Sequence, residues 1–126
     1  MSLESRNVDL KSISKYWMSM NAIVSILHRI SGVILFLLIP FMLWLLSHSL
    51  ANGPSFLSLQ SSFSAPGFKF LTWLLLSAMA YHIIAGIKHF VMDMGFLESI
   101  EGSRWSSVFV MCVSVIIIVS LGVSLW

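Results

Sequence analysis

Residues 77–95 read SAMAYHIIAGIKHFVMDMG and set an ionisable side chain, His82, well inside an otherwise apolar run. On a helix, Ala78, His82, Ala85, Gly86, His89 and Asp93 recur at spacings of three, four or seven and share one face. That face is small and polar. An ionisable group within a membrane costs roughly 2.5 kcal/mol or more unless something compensates it, so His82 needs a partner. Small residues beside it leave room either for a flat, bulky group or for a closely packed helix.

The chain around this stretch is equally apolar. Of its 126 residues 58% are hydrophobic and 10% charged, and most of the charges lie outside the long apolar runs, which marks an integral membrane protein. Three runs, about 22–47, 68–90 and 107–126, are each long enough to cross a hydrocarbon core of about 30 Å, which takes about 20 helical residues. The expected fold is therefore an all-α membrane protein with three transmembrane helices within residues 22–126, preceded by an interfacial segment, 1–21. A formal charge of +2, set mostly at the flanks of the spans, points to lipid and not to nucleic acid. Cys112, the lone cysteine, excludes a disulfide framework and a cysteine-based cluster within the chain and reads as a packing residue. The first run is too long for a cleavable signal, so the first helix is expected to stay.

Residues 1–21 carry Arg6, Lys11 and Lys15 against Glu4 and Asp9 and end near Tyr16 and Trp17, a pattern suited to the membrane surface. The first span holds Pro40, which frees the carbonyl of Phe36 and predicts a bend. Near its start the stretch SILHRISG, residues 25–32, puts Ser25, His28, Arg29 and Gly32 on one face. Residues 49–67 are rich in serine, glycine and proline, carry no charge, and read as an exterior loop. The connection 91–106 holds Asp93, Glu98, Glu101 and Arg104, with Gly95 and Gly102 permitting turns. Arg6, Lys11, Lys15, Lys88 and Arg104 flank one side and Lys69 the other, so the N-terminus is expected in the cytoplasm and the C-terminus in the periplasm. His48 reads as interfacial, and the third span as a packing helix.

Helices 1 and 2 then run antiparallel. Arg29 lies about 7 residues into the first and His82 about 8 residues from the end of the second, each about 10–12 Å deep at 1.5 Å per residue. They can meet. Such a pocket offers one good metal ligand and several donors for anionic or carbonyl oxygens. Haem fits it, with a neutral imidazole on iron and Arg and His neutralising propionates, and a quinone fits the remaining donors. Spacing alone leaves open three roles for His82: a haem ligand, a hydrogen bond between helices, or a station in a proton relay with His89 and Asp93. Because seven residues rise only about 10 Å, His82 and His89 cannot each serve a separate stacked haem.

Both motifs, SILHRISG at 25–32 and HIIAGIKHFVMDMG at 82–95, closely resemble the cytochrome b membrane-anchor subunit of succinate dehydrogenase. The resemblance implies three transmembrane helices that form half of a heterodimeric membrane anchor. A second small anchor subunit, an iron–sulfur subunit and a flavoprotein subunit would be the protein partners, in the bacterial inner membrane. It implies one haem b shared between the anchors, with His82 as an axial ligand to the haem iron and the partner anchor supplying the other. By the same resemblance His28 and Arg29 lie near the haem propionates, and Ser25 with Arg29 bind ubiquinone. His89 and Asp93 match the tail of the second motif. Two positions depart from the pattern: the N-terminal segment lacks the frequent Arg-Pro pair, and Lys88 stands where an arginine is usual, keeping charge but losing the planar fork.

The implied function is to pass electrons from the iron–sulfur subunit to ubiquinone. The chain lacks the soluble mass to fold a succinate site. A cofactor-free structural anchor and a small proton-relay protein are the alternatives.

Overall fold

A computed structural model describes residues 19–126. The interfacial reading of the first 21 residues falls almost wholly outside the described residues. The described chain forms four helices: α1, Met20–Ala51; α2, Gly53–Ser62; α3, Pro66–Asp93; and α4, Ile100–Leu125. Three of them, α1, α3 and α4, are long and apolar enough to cross a membrane, so the all-α, three-span architecture expected from the sequence is the one observed.

The helices begin where side chains satisfy the first free N–H groups. Ser19 Oγ accepts from Ala22 N at 3.3 Å, Asn52 Oδ1 from Ser55 N at 2.8 Å, and Ser99 Oγ from Gly102 N at 3.0 Å. Pro66 occupies the first turn of α3, where its missing N–H costs nothing. The Asn52 cap and a proline in the first turn also explain α2, a helix inside the stretch expected to be a loop. It packs on α1 and buries Leu59. In the same way Ser99 and Glu101 start α4 at Ile100, a full turn and more ahead of the apolar run that begins near residue 107. Gly95, at φ 87°, makes the left-handed turn that ends α3. The first span remains one helix across Pro40.

Helix α3 lies in the middle, packed against both α1 and α4 more extensively than those two pack on each other. Small side chains allow the approach: Ala78 and Ala85 of α3 are buried, as are Ser103, Ser107 and Ser114 of α4. Val24, Tyr81, Ala85 and Val110 form the core where all three spans meet. Polar ends find partners across helices. Tyr81 Oη donates to the Val24 carbonyl and Trp73 Nε1 to the Ile118 carbonyl, both at 3.0 Å. At the end of α1 and α3 nearer residues 44 and 68, Phe41, Trp44, Phe63 and Phe68 form an edge-to-face aromatic cluster. His48 joins it, with Nδ1 donating to the Trp44 carbonyl at 3.0 Å. Cys112, read as a packing residue, lies on the exposed surface of α4.

At the opposite end a polar knot ties the three spans. Lys88, placed among the flanking cations in the topology reading, is instead buried, and its Nζ donates to Asn21 Oδ1 at 2.7 Å. Asn21 Nδ2 donates to Ser103 Oγ, and Ser107 Oγ donates to Asn21 Oδ1 at 2.5 Å. A buried cation with its acceptor removed loses more than the bond itself. Asn21→Ala should therefore destabilise the purified protein by about 1–3 kcal/mol, and adding Lys88→Met should recover most of that loss. Chemical or thermal unfolding of the two variants checks this; a neutral Asn21→Ala, or a double variant no better than the single, contradicts it.

Candidate functional site

The site is built where the 25–32 stretch of α1 faces the second half of α3. Ser31 is buried, and its Oγ donates to the His28 carbonyl at 2.7 Å, the back-bond that serine makes within a helix. The same Oγ lies 2.9 Å from His82 Nδ1, and the His28 carbonyl lies 3.2 Å from that nitrogen. A carbonyl oxygen can only accept, and the one proton on Ser31 Oγ is already donated to it. Nδ1 of His82 must therefore carry the hydrogen. The network assigns the tautomer in which Nε2 keeps its lone pair and faces away from these partners.

Glycine makes the space for these rings. A Cβ at position 32 would sit 3.1 Å from His82 Cε1, and one at position 86 would sit 3.4 Å from His28 Nε2. In the resulting notch the His28 and His82 rings stack, with centroids 4.1 Å apart and planes 18° apart. Stacked imidazoles aim their nitrogens past one another and cannot grip one metal from opposite sides. His89 follows on the other side of His28, at a centroid distance of 5.2 Å. Three imidazoles thus form a row, His82, His28 and His89.

Beyond His89 a cavity of about 300 Å³ opens, lined among others by Ser25, Arg29, Lys88, His89 and Asn21. Arg29 is exposed at the cavity and makes no hydrogen bond to another described residue. Cationic and hydroxyl groups converge there, with apolar Ile26 and Met92 between them. Such a lining suits an oxygen that gains negative charge.

The structure brings the residues singled out in the sequence into two adjoining groups. His82 and His28 lie together in the glycine notch; Ser25, Arg29 and His89 line the cavity. Arg29 and His82, expected at equal depth, belong to different groups, and it is His28 that touches His82. Asp93, the last residue of α3, is exposed and lines neither. Sequence reading passes over Ser31, Asn21, Ser103 and Ser107. A serine three residues after His28, back-bonding to its carbonyl, is one available signal. The Ser103 and Ser107 pair, one helical turn apart, is another, hidden because Ser103 falls in the segment that reads as a connection.

Two comparisons bear on this arrangement. Residues 5–121 match the family described as succinate dehydrogenase/fumarate reductase transmembrane subunit. The chain is also 43% identical over 121 residues to the succinate dehydrogenase cytochrome b556 subunit of Coxiella burnetii (strain RSA 493 / Nine Mile phase I), a match covering 95% of this chain and 94% of that one. With nearly the whole of both chains aligned and three membrane-spanning helices in place, this chain belongs to the succinate dehydrogenase/fumarate reductase transmembrane subunit family.

Proposed function

We propose that this chain binds one haem b through Nε2 of His82 and forms part of a ubiquinone-reduction site at Ser25 and Arg29. It would act as a membrane-anchor subunit of succinate dehydrogenase in a bacterial inner membrane. The observation that carries the proposal is the hydrogen bonding of His82: Nδ1 is turned to Ser31 and the His28 carbonyl, which leaves Nε2 as the ligand atom. That is the arrangement in which imidazole binds iron. The relative from Coxiella burnetii is named a cytochrome b556, which agrees with a haem-binding role.

Bound haem supplies a one-electron redox centre inside the membrane. This chain's residues would hold it: His82 would bind the iron through Nε2, and His28, stacked on the His82 ring, would not share that role. His28 and Arg29 would neutralise the propionates, whose charge is costly in lipid unless paired.

At the cavity, the Ser25 hydroxyl and the Arg29 guanidinium would donate to a quinone carbonyl as negative charge builds on its oxygen. Lys88 adds positive potential along the same wall, and His89 lies beside it. Electrons would arrive from an iron–sulfur subunit bound, with its flavoprotein, on the cytoplasmic side, where the N-terminal cations place the start of the chain.

A second reading, a tether without cofactor, has one observation in its favour: His82 already has hydrogen-bond partners within the chain. The absorption spectrum of the purified complex separates the two. The first reading expects a dithionite-reduced haem b band and co-purification of flavoprotein, iron–sulfur and second anchor chains; an intact assembly without that band leaves only the tether. The notch gives a sharper test. Gly32→Val drives carbon into the His82 ring and should lower haem per assembled complex by about tenfold, with Gly32→Ala intermediate. Full haem occupancy in Gly32→Val would contradict the placement.

A further inference from the structure

We propose that Ser31 is a positioning residue that sets the reduction potential of the haem by charging the His82 ring through its hydrogen bond. This rests on the reading that His82 binds the iron. Ser31 Oγ accepts from His82 Nδ1 at 2.9 Å while donating its own proton to the His28 carbonyl at 2.7 Å. Donating outward makes the same oxygen a better acceptor, so the two bonds strengthen each other. Ser31 is only 5% exposed, and water does not compete for either bond.

An imidazole whose Nδ1–H is drawn towards an acceptor becomes more basic at Nε2. A more basic ligand stabilises the ferric over the ferrous state, so the bond lowers the potential. The His28 carbonyl, 3.2 Å from Nδ1, is a second acceptor that stays in place when the hydroxyl is removed. It preserves the tautomer and the ring orientation. Ser31→Ala therefore separates tuning from ligation: the haem remains while its potential moves.

The experiment is a redox titration of haem b in the purified complex carrying wild-type, Ser31→Ala or Ser31→Thr chains, with haem content and the electron paramagnetic resonance signal of the oxidised state read on the same samples. Losing one hydrogen bond of ordinary strength should shift the ferric/ferrous equilibrium by about threefold to fivefold, or about 30–40 mV upward at 59 mV per tenfold. Ser31→Thr keeps the hydroxyl and should restore the wild-type potential. An unshifted potential in Ser31→Ala with haem retained overturns the inference while leaving ligation by His82 intact. Absence of haem from the wild-type complex overturns the reading beneath it. Should Ser31→Ala fail to retain haem, Ser31→Cys, with its weaker sulfur acceptor, should give a smaller upward shift; an unmoved potential there overturns the inference equally.

Discussion

In the complex assembled with His82→Ala, the haem b band of the dithionite-reduced spectrum should fall by about tenfold or more, because the nitrogen proposed to hold the iron is gone. Alanine at 82 leaves the stacked His28 ring without its neighbour, yet His28 cannot substitute. Its Nε2 packs against Gly86 of α3, 3.4 Å from where a Cβ there would sit. His28→Ala and His89→Ala serve as controls in the same helices. His28→Ala loses a proposed propionate contact and should lower the band less than His82→Ala does, while His89→Ala, whose ring lines the cavity, should keep most of it. A band of normal height in His82→Ala would refute the assignment, and equal loss in all three variants would point to a general collapse of the bundle.

The second large effect is expected at the cavity. Arg29→Leu removes a cationic donor from the cavity wall and should lower succinate–ubiquinone reductase activity by about tenfold or more, the scale of one charged hydrogen bond worth about 1.5–3 kcal/mol. Ser25→Ala, which loses a neutral donor, should cost less, about fivefold. Electron transfer from succinate to a soluble artificial acceptor should be nearly unchanged in both, because that route does not use the cavity. Equal losses in the two assays would place the defect in assembly and count against a quinone site at Ser25 and Arg29.

These effects depend on features of unequal legibility. The three spans are plain in the sequence because hydrocarbon demands length and apolarity, and Ala22, Phe68 and Ser107 lie within a turn or two of where the spanning helices begin. Helix starts are harder. Ser99 caps a helix whose first five residues carry Glu101 and Arg104, so the polar residues that start α4 look like a connection. Likewise Asn52 and Pro54 build α2 from residues that read as turn formers.

At the site, His82 and His28 stand out because ionisable side chains are expensive in lipid. Equal depth pairs Arg29 with His82, but depth says nothing of azimuth. Arg29, one residue after His28, is turned about 100° around the helix axis and meets the cavity instead. Ser31 stays hidden for a different reason. A serine in an apolar helix usually satisfies its own backbone, and only the cross-helix geometry shows its oxygen shared with His82. The Lys88 to Asn21 bond is likewise out of reach, because a lysine near a helix end reads first as an interfacial charge.

Density for the assembled complex at a resolution that shows side chains decides the central question. The haem iron should lie at bonding distance from Nε2 of His82, with Nδ1 of the same ring still turned to Ser31 and the opposite axial position filled from another subunit. A His82 ring touching only protein or water, with the tetrapyrrole held elsewhere or missing, would contradict the account.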